Sequence, residues 1–170
     1  KIRTASDANR SVIVFAGGYN EALDSSFGPS VGTGNAIYIV DATTGQRIWW
    51  ASHAQDTTQS PSLAASGANL ELAGMEYAIA SDITLGDGNA DGKTDRLYVT
   101  DTGGQLWRVD LAADTGTGEG IKAIVGKLAT VSDATTTADS RKFFYPPDIV
   151  QVHDNVYSGT GRYDMVTRSE

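Results

Sequence analysis

The chain has 170 residues, enough for one domain with a real core. Its 13 Lys+Arg against 21 Asp+Glu leave a net charge of −8, which repels a phosphate backbone, so nucleic acid is not an expected partner. No apolar stretch of about 18 residues is present, so no membrane-spanning helix is expected. The absence of Cys removes disulfides, thiolate metal sites and cysteine nucleophiles together, and leaves the compartment open. A start at Lys1-Ile2-Arg3-Thr4, without Met or the apolar run of a signal peptide, leads to the expectation of a mature or excised piece. Nineteen Gly and only 20% charged residues favour turn-rich β structure over a helical bundle.

In chain order, β-type runs bounded by Gly, Asp, Asn and Thr predict strands at Ser11–Phe15, Ala36–Val40, Arg47–Ala51, Tyr77–Ile83, Arg96–Thr100 and Gln105–Leu111. Weaker candidates are Gly126–Val131, Ile149–Val152 and Val156–Ser158. Helical periodicity is nearly absent; the one helix-friendly window, Ser62–Leu72, is interrupted by Gly67, and no helix is assigned to it. Ala36-Ile-Tyr-Ile-Val40 is continuously apolar, as in a strand covered on both faces. Gln105-Leu-Trp-Arg-Val-Asp110 alternates, as in a strand with one wet face. The Ser/Gly/Pro-rich Asp24–Gly34, the tract Ala112–Gly120 and Thr130–Ser140 read as loops.

Two segments look like copies of one hairpin: Ile37-Tyr-Ile-Val-Asp-Ala-Thr-Thr-Gly-Gln-Arg-Ile-Trp49 and Leu97-Tyr-Val-Thr-Asp-Thr-Gly-Gly-Gln-Leu-Trp107. In each, Asp at the strand end can bond back into the turn, Gly supplies a positive φ, and Trp enters the next strand. A second repeated element pairs Val14-Phe-Ala-Gly-Gly-Tyr-Asn20 with Val156-Tyr-Ser-Gly-Thr-Gly-Arg-Tyr-Asp164. Self-similarity of this kind predicts an all-β fold of antiparallel sheets arranged as β-propeller blades, the alternative being a β-sandwich with similar turns. Blades of about 40–50 residues give three at most, fewer than the four that the smallest ring needs. Residues 1–170 are therefore expected to be a single partial propeller domain, a portion of a larger propeller.

The sharpest chemical signal is Asp87-Gly-Asn-Ala-Asp-Gly-Lys-Thr-Asp95. With Asp87 at position 1, Asn89, Asp91 and Asp95 fall at 3, 5 and 9, Gly92 at 6, and Lys93 at 7, where an EF-hand loop uses the backbone carbonyl. Alternate residues of a tightly curled loop point inward, so a hard cation meets several oxygens at once. The expected metal is Ca²⁺, held by Asp87, Asn89, Asp91, the Lys93 carbonyl and Asp95. Position 12 is Tyr98 rather than a bidentate Glu, and a strand follows rather than a helix. Asp95 is left as the candidate closing ligand, and the tightest class of site is not expected. The competing reading is a Gly/Asn/Asp turn whose side chains merely cap amides.

Other features carry less. His53 and His153 lie in no metal-ligand spacing and read as structural or surface histidines. No Gly-x-Ser-x-Gly occurs, and neither Gly17-Gly18 nor Gly103-Gly104 opens a helix that would cradle phosphate. Trp49-Trp50 reads as one buried and one half-buried strand aromatic rather than a stacking platform. Phe143-Phe-Tyr-Pro-Pro147 reads as an edge segment packed between blades.

Together, Val14–Tyr19, Ile37–Asp41 with Thr44-Gly45 and Trp49, the loop Asp87–Asp95, and Leu97-Tyr-Val-Thr-Asp-Thr-Gly-Gly-Gln-Leu-Trp-Arg-Val-Asp-Leu111 resemble the C-terminal β-propeller of PilC/PilY-type proteins. These are the tip-associated adhesins and assembly factors of bacterial type IV pili. Arg141–Asp148 and Val156–Tyr163 also resemble family segments, so the similarity runs in patches over about residues 12–164. The loop followed directly by Leu97–Leu111 is its specific part. The resemblance implies an extracellular or outer-membrane-associated pilus protein without enzymatic activity. It would promote pilus extension and surface attachment, with pilins or minor pilins and host or abiotic surfaces as partners. It implies calcium at Asp87, Asn89, Asp91, Lys93 and Asp95, tied to the balance of extension and retraction. No Arg-Gly-Asp occurs, so no integrin-type motif is assigned.

Two rival functions belong to other classes. Ala42-Thr-Thr-Gly45 with Trp49 also resembles the blade-docking motif of quinone-dependent dehydrogenases, although no base or cofactor seat is visible. A calcium-stabilised carbohydrate- or protein-binding module unrelated to pili is the other.

Overall fold

The computed structural model describes residues 1–2, 4, 9–25, 28–29, 33–53, 65–67, 69–113, 121–132 and 139–150. Among these the fold is all-β, its one helical element being a single 3₁₀ turn at Glu21–Leu23. The strands are β1 (Val12–Ala16), β2 (Ala36–Asp41), β3 (Arg47–His53), β4 (Ala65–Gly67), β5 (Asn69–Leu72), β6 (Thr84–Gly86), β7 (Arg96–Thr100), β8 (Gln105–Ala113) and β9 (Ile121–Thr130). They form two open sheets, β1-β2-β3-β5 and β4-β9-β8-β7-β6. Every neighbouring pair is antiparallel except β3 and β5, and β4 and β5 carry the chain from the edge of one sheet to the edge of the other.

The doubled hairpin is present in the backbone. The N–H of Asp41 donates to the Gln46 carbonyl (2.8 Å) and that of Asp101 to the Gln105 carbonyl (3.1 Å). Gly45 (φ +73°) donates to Asp41 O, and Gly104 (φ +72°) to Asp101 O. Only glycine enters this left-handed region without strain, which is why each turn carries one. Downstream, Trp49 pairs with Ile39 and Trp107 with Val99, and both indoles are buried.

Equivalent positions of the two hairpins share one core. Ile37, Ile39, Trp49 and Ala51 cluster with Leu97, Val99, Trp107 and Val109, joined by Leu70, Leu72, Met75, Ile79, Ile121 and Val125. The two sheets thus meet through matching faces, as the layers of a sandwich do. The other face of the first sheet leaves Ile13 and Phe15 exposed beside the half-buried Tyr38, Val40 and Trp50.

Several strand expectations differ from the structure. Tyr77–Ile83 is not a strand. Its buried Tyr77, Ala78 and Ile79 plug one end of the core, and their backbone bonds go to loops: Gly18 N–H to Ile79 O, Ile79 N–H to Gly34 O, Thr102 N–H to Ala78 O. An apolar run specifies burial, and a ladder only where a partner strand lies alongside. The Ser62–Leu72 window holds β4 and β5, β6 carries no strong sequence signal, and β9 starts at Ile121, ahead of the expected Gly126. Ile149 and Val150 are not in a strand; 151–152, Val156–Ser158, the second Gly-rich copy and His153 lie outside the described residues. Phe143–Pro147 runs as an irregular strap across strand ends, with Thr100 Oγ1 donating to Tyr145 O (2.8 Å) and Phe144 against Tyr19.

At the second turn the fit is tight. A Cβ added at Gly103 would lie 2.2–2.6 Å from the Tyr77 ring. Gly103→Ala is expected to cost about 2–3 kcal/mol in a urea titration, because the buried Tyr77 ring must shift to admit the methyl. A change under about 0.5 kcal/mol would show that the plug is loose.

Candidate metal centre

The loop 87–95 joins β6 to β7. The ladder ends at Gly86 opposite Arg96, and the Asp95 N–H closes the mouth by donating to Gly86 O at 2.9 Å. Asp87 and Asp95 therefore stand at the two feet of the loop. From outside it is held by Thr94 N–H on Lys1 O and by Leu111 N–H on Asp95 O, both 2.8 Å.

Within the loop the side-chain oxygens fold it onto itself. Asp87 accepts from Asp91 N–H through Oδ1 (3.2 Å) and from Gly92 N–H through Oδ2 (2.7 Å). Asn89 Oδ1 accepts from Asp91 N–H (3.0 Å), and Asp91 Oδ1 from Lys93 N–H (2.9 Å). Asp95 Oδ2 reaches across to accept from Gly88 N–H (3.0 Å). The curl needs two left-handed residues, Ala90 at φ +60° and Gly92 at φ +81°. Ala90, the one non-glycine described residue with positive φ, carries the strain.

All five expected positions are thus in one curled loop, with Asp87 and Asn89 sharing the Asp91 N–H as donor, Asp91 accepting from the Lys93 N–H, and Asp95 bonded across the mouth. The donor set is three carboxylates, an amide oxygen and a backbone carbonyl, all hard oxygens suited to Ca²⁺, and a carboxylate oxygen that accepts one N–H keeps a second lone pair. Among the described residues, however, no three His, Asp or Glu side chains are gathered as a metal-holding group. Asp91 Oδ2 pairs instead with the Lys93 ammonium at 3.2 Å. The ligand chemistry fits calcium, and closing the carboxylates around an ion requires Lys93 to yield. The spacing gave Lys93 a carbonyl role and said nothing of its side chain.

Elsewhere, the strand-end acids differ. Asp41 accepts from Thr43 and Thr44 amides (2.8 and 2.7 Å) and from Arg10 Nε (2.8 Å). The Arg10 bond, with the turn amides, holds its carboxyl well below the usual range. Asp101 accepts from Gly103 and Gln105 amides (2.9 and 3.0 Å) and from Trp107 Nε1 (2.8 Å), yet full burial pushes it up to about 6. Neither reaches the loop. His53 is half-buried, its Nδ1 without a partner among the described residues. No family model, curated protein or solved structure matches the chain.

Proposed function

We propose that this chain is a calcium-binding portion of a type IV pilus-associated adhesin and assembly factor, extracellular and without enzymatic activity. Calcium acts structurally on the β6–β7 loop: it neutralises the carboxylates and fixes the strand that follows. The observation that carries this reading is the donor set of the 87–95 loop: Asp87, Asn89, Asp91 and Asp95 stand in one curled turn whose mouth is closed by the Asp95 N–H on Gly86 O, and an ion would replace the amides that those side chains now cap. No helix among the described residues is long and apolar enough to cross a membrane.

Calorimetry tests the metal. The wild type is expected to take up one Ca²⁺, and Asp87→Ala or Asp91→Ala to abolish the heat; no heat from the wild type ends the proposal. At calcium about 100-fold above Kd, stability should rise by about 3 kcal/mol in thermal unfolding. Lys93→Met keeps the carbonyl and removes the ammonium from Asp91, so its affinity should be about two- to fivefold higher. An unchanged or weaker affinity would show that the ion pair does not compete. Pull-down against pilins and minor pilins tests the partner, and retention of a pilin only with calcium is the expected result.

The finer architecture in this reading is a partial propeller, supported by two antiparallel meanders that each carry the Asp–turn–Trp hairpin. The two sheets share one core, and a propeller needs a further sheet to cover Ile13, Phe15 and Tyr38 on the other face of the first. A crystal structure of a longer chain decides between a third stacked sheet there and a solvent-covered face, which would leave a sandwich.

A further inference from the structure

The 87–95 loop contains two Asp-Gly steps, Asp87-Gly88 and Asp91-Gly92. Such a step is prone to cyclise, because glycine has no Cβ to keep its amide nitrogen from the preceding carboxyl carbon. Both steps lie at the surface, with residues 88–92 exposed. Yet both glycine amides are already committed, each to the carboxylate of a different residue. Gly88 N–H donates to Asp95 Oδ2 at 3.0 Å, and Gly92 N–H donates to Asp87 Oδ2 at 2.7 Å. The carboxyls that would be attacked are committed as well: Asp87 to the amides of Asp91 and Gly92, Asp91 to the amide and ammonium of Lys93. The two clasps run in order. Asp95 holds the nucleophile for Asp87, and Asp87 holds the nucleophile for Asp91.

We infer that this loop carries two latent isoaspartate-forming sites locked in series, Asp95 guarding Asp87-Gly88 and Asp87 guarding Asp91-Gly92. The chemistry needs only water. The glycine nitrogen forms a bond to Cγ of the preceding aspartate and loses its proton to solvent, while one carboxyl oxygen leaves Cγ as water. Water then opens the five-membered imide. Attack at Cγ restores aspartate; attack at the α-carbonyl carbon leaves the chain running through Cβ and Cγ as isoaspartate. No electrons are transferred, and the net change is an isomerisation. At Asp87 it lengthens the backbone by one carbon and removes the carboxylate from Gly92 N–H, so the second site opens only after the first.

The test is ageing at neutral pH in EDTA, which keeps it independent of the calcium proposal, with isoaspartate located by electron-transfer fragmentation of peptides. Asp95→Ala should form isoaspartate at position 87 about tenfold faster than wild type, the equivalent of one lost charge-assisted hydrogen bond, with position 91 following after a lag. Asp95→Asn keeps an acceptor for Gly88 N–H and should stay near the wild-type rate, which separates loss of the clasp from loss of the fold. Asp87→Ala should expose position 91 without a lag. The nearest atoms to a methyl at Gly88 would be side-chain atoms of Arg96 and Asp95 at 3.5–3.6 Å, ordinary contact distances, so Gly88→Ala in the Asp95→Ala background should suppress isomerisation at 87. Equal rates in wild type and Asp95→Ala, or simultaneous appearance at both positions, would overturn the serial lock. A slower rate in Asp95→Ala would overturn it too, by making Asp95 a base that assists the attack.

Discussion

Asp101→Ala is expected to lower the unfolding free energy by about 3–5 kcal/mol. Asp101 is fully buried, and truncation leaves the Trp107 indole N–H and the amides of Gly103 and Gln105 in the interior without acceptors. The Gln105 side chain loses a partner as well, since exchanging its amide O and N, the orientation that satisfies both, sets the nitrogen 3.2 Å from Asp101 Oδ2 and from Gly74 O. Each stranded donor costs about 1–3 kcal/mol, offset in part because a buried charge disappears with them. Urea unfolding checks it, and a loss under about 1 kcal/mol would mean that water reaches the turn.

The twin aspartates also predict opposite pH dependences. Burial raises Asp101 to about 6, so the native state binds its proton more tightly than the unfolded chain, whose value is near 3.8. Its contribution to stability therefore falls as pH rises from about 4 to about 6 and is level above that. At about 1.4 kcal/mol per unit, the swing is up to about 3 kcal/mol. Asp41 runs the other way: the Arg10 bond and the turn amides lower it, so its stabilisation is present above pH 4 and lost on acidification. Wild type minus Asp101→Asn should shrink as pH rises from about 4 to about 6, while wild type minus Asp41→Asn should be level over that range and grow with rising pH only below about 4. Two curves with the same sign would show that the two turns hold their acids alike.

The sequence repeat foretold that these residues occupy equivalent turns, but not that one is buried on an indole and the other paired with an arginine. Arg10 lies 31 residues from Asp41, and only the completed sheet brings them together. The same limit separates the strands that were legible from those that were not. β2, β3, β7 and β8 carry dense β-branched and aromatic runs with Gly-bearing turns between them, a local signal. β5 is read as a strand only because β3 lies parallel beside it, and β6 only because β7 pairs with it. The loop between β6 and β7 was legible because its alternation of oxygen side chains is itself local. The Lys93–Asp91 pair was not, because the spacing fixes where a carbonyl falls and leaves a long side chain free to turn inward.

Trp49 and Trp50 give the sharpest test of how the sheets are covered. They are adjacent on β3, so they point to opposite faces. Trp49 is fully buried against the second sheet, whereas Trp50 is half-buried on the outer face with Arg47 over its ring at 5.8 Å. Trp49→Ala should cost about 3–5 kcal/mol, because the cavity left between two packed sheets cannot fully collapse. Trp50→Ala should cost about 1 kcal/mol or less, the value of a partly wet cation–π and cross-strand contact. Chemical unfolding followed by circular dichroism measures both without relying on the indole that each variant lacks. A slip of one residue would exchange the two rings, and the Asp41–Gly45 turn prevents it by fixing where β3 starts. Equal costs would mean that the outer face is covered as firmly as the inner one. That is the result a further sheet stacked on Ile13, Phe15 and Tyr38 would produce, and the result a two-layer sandwich forbids.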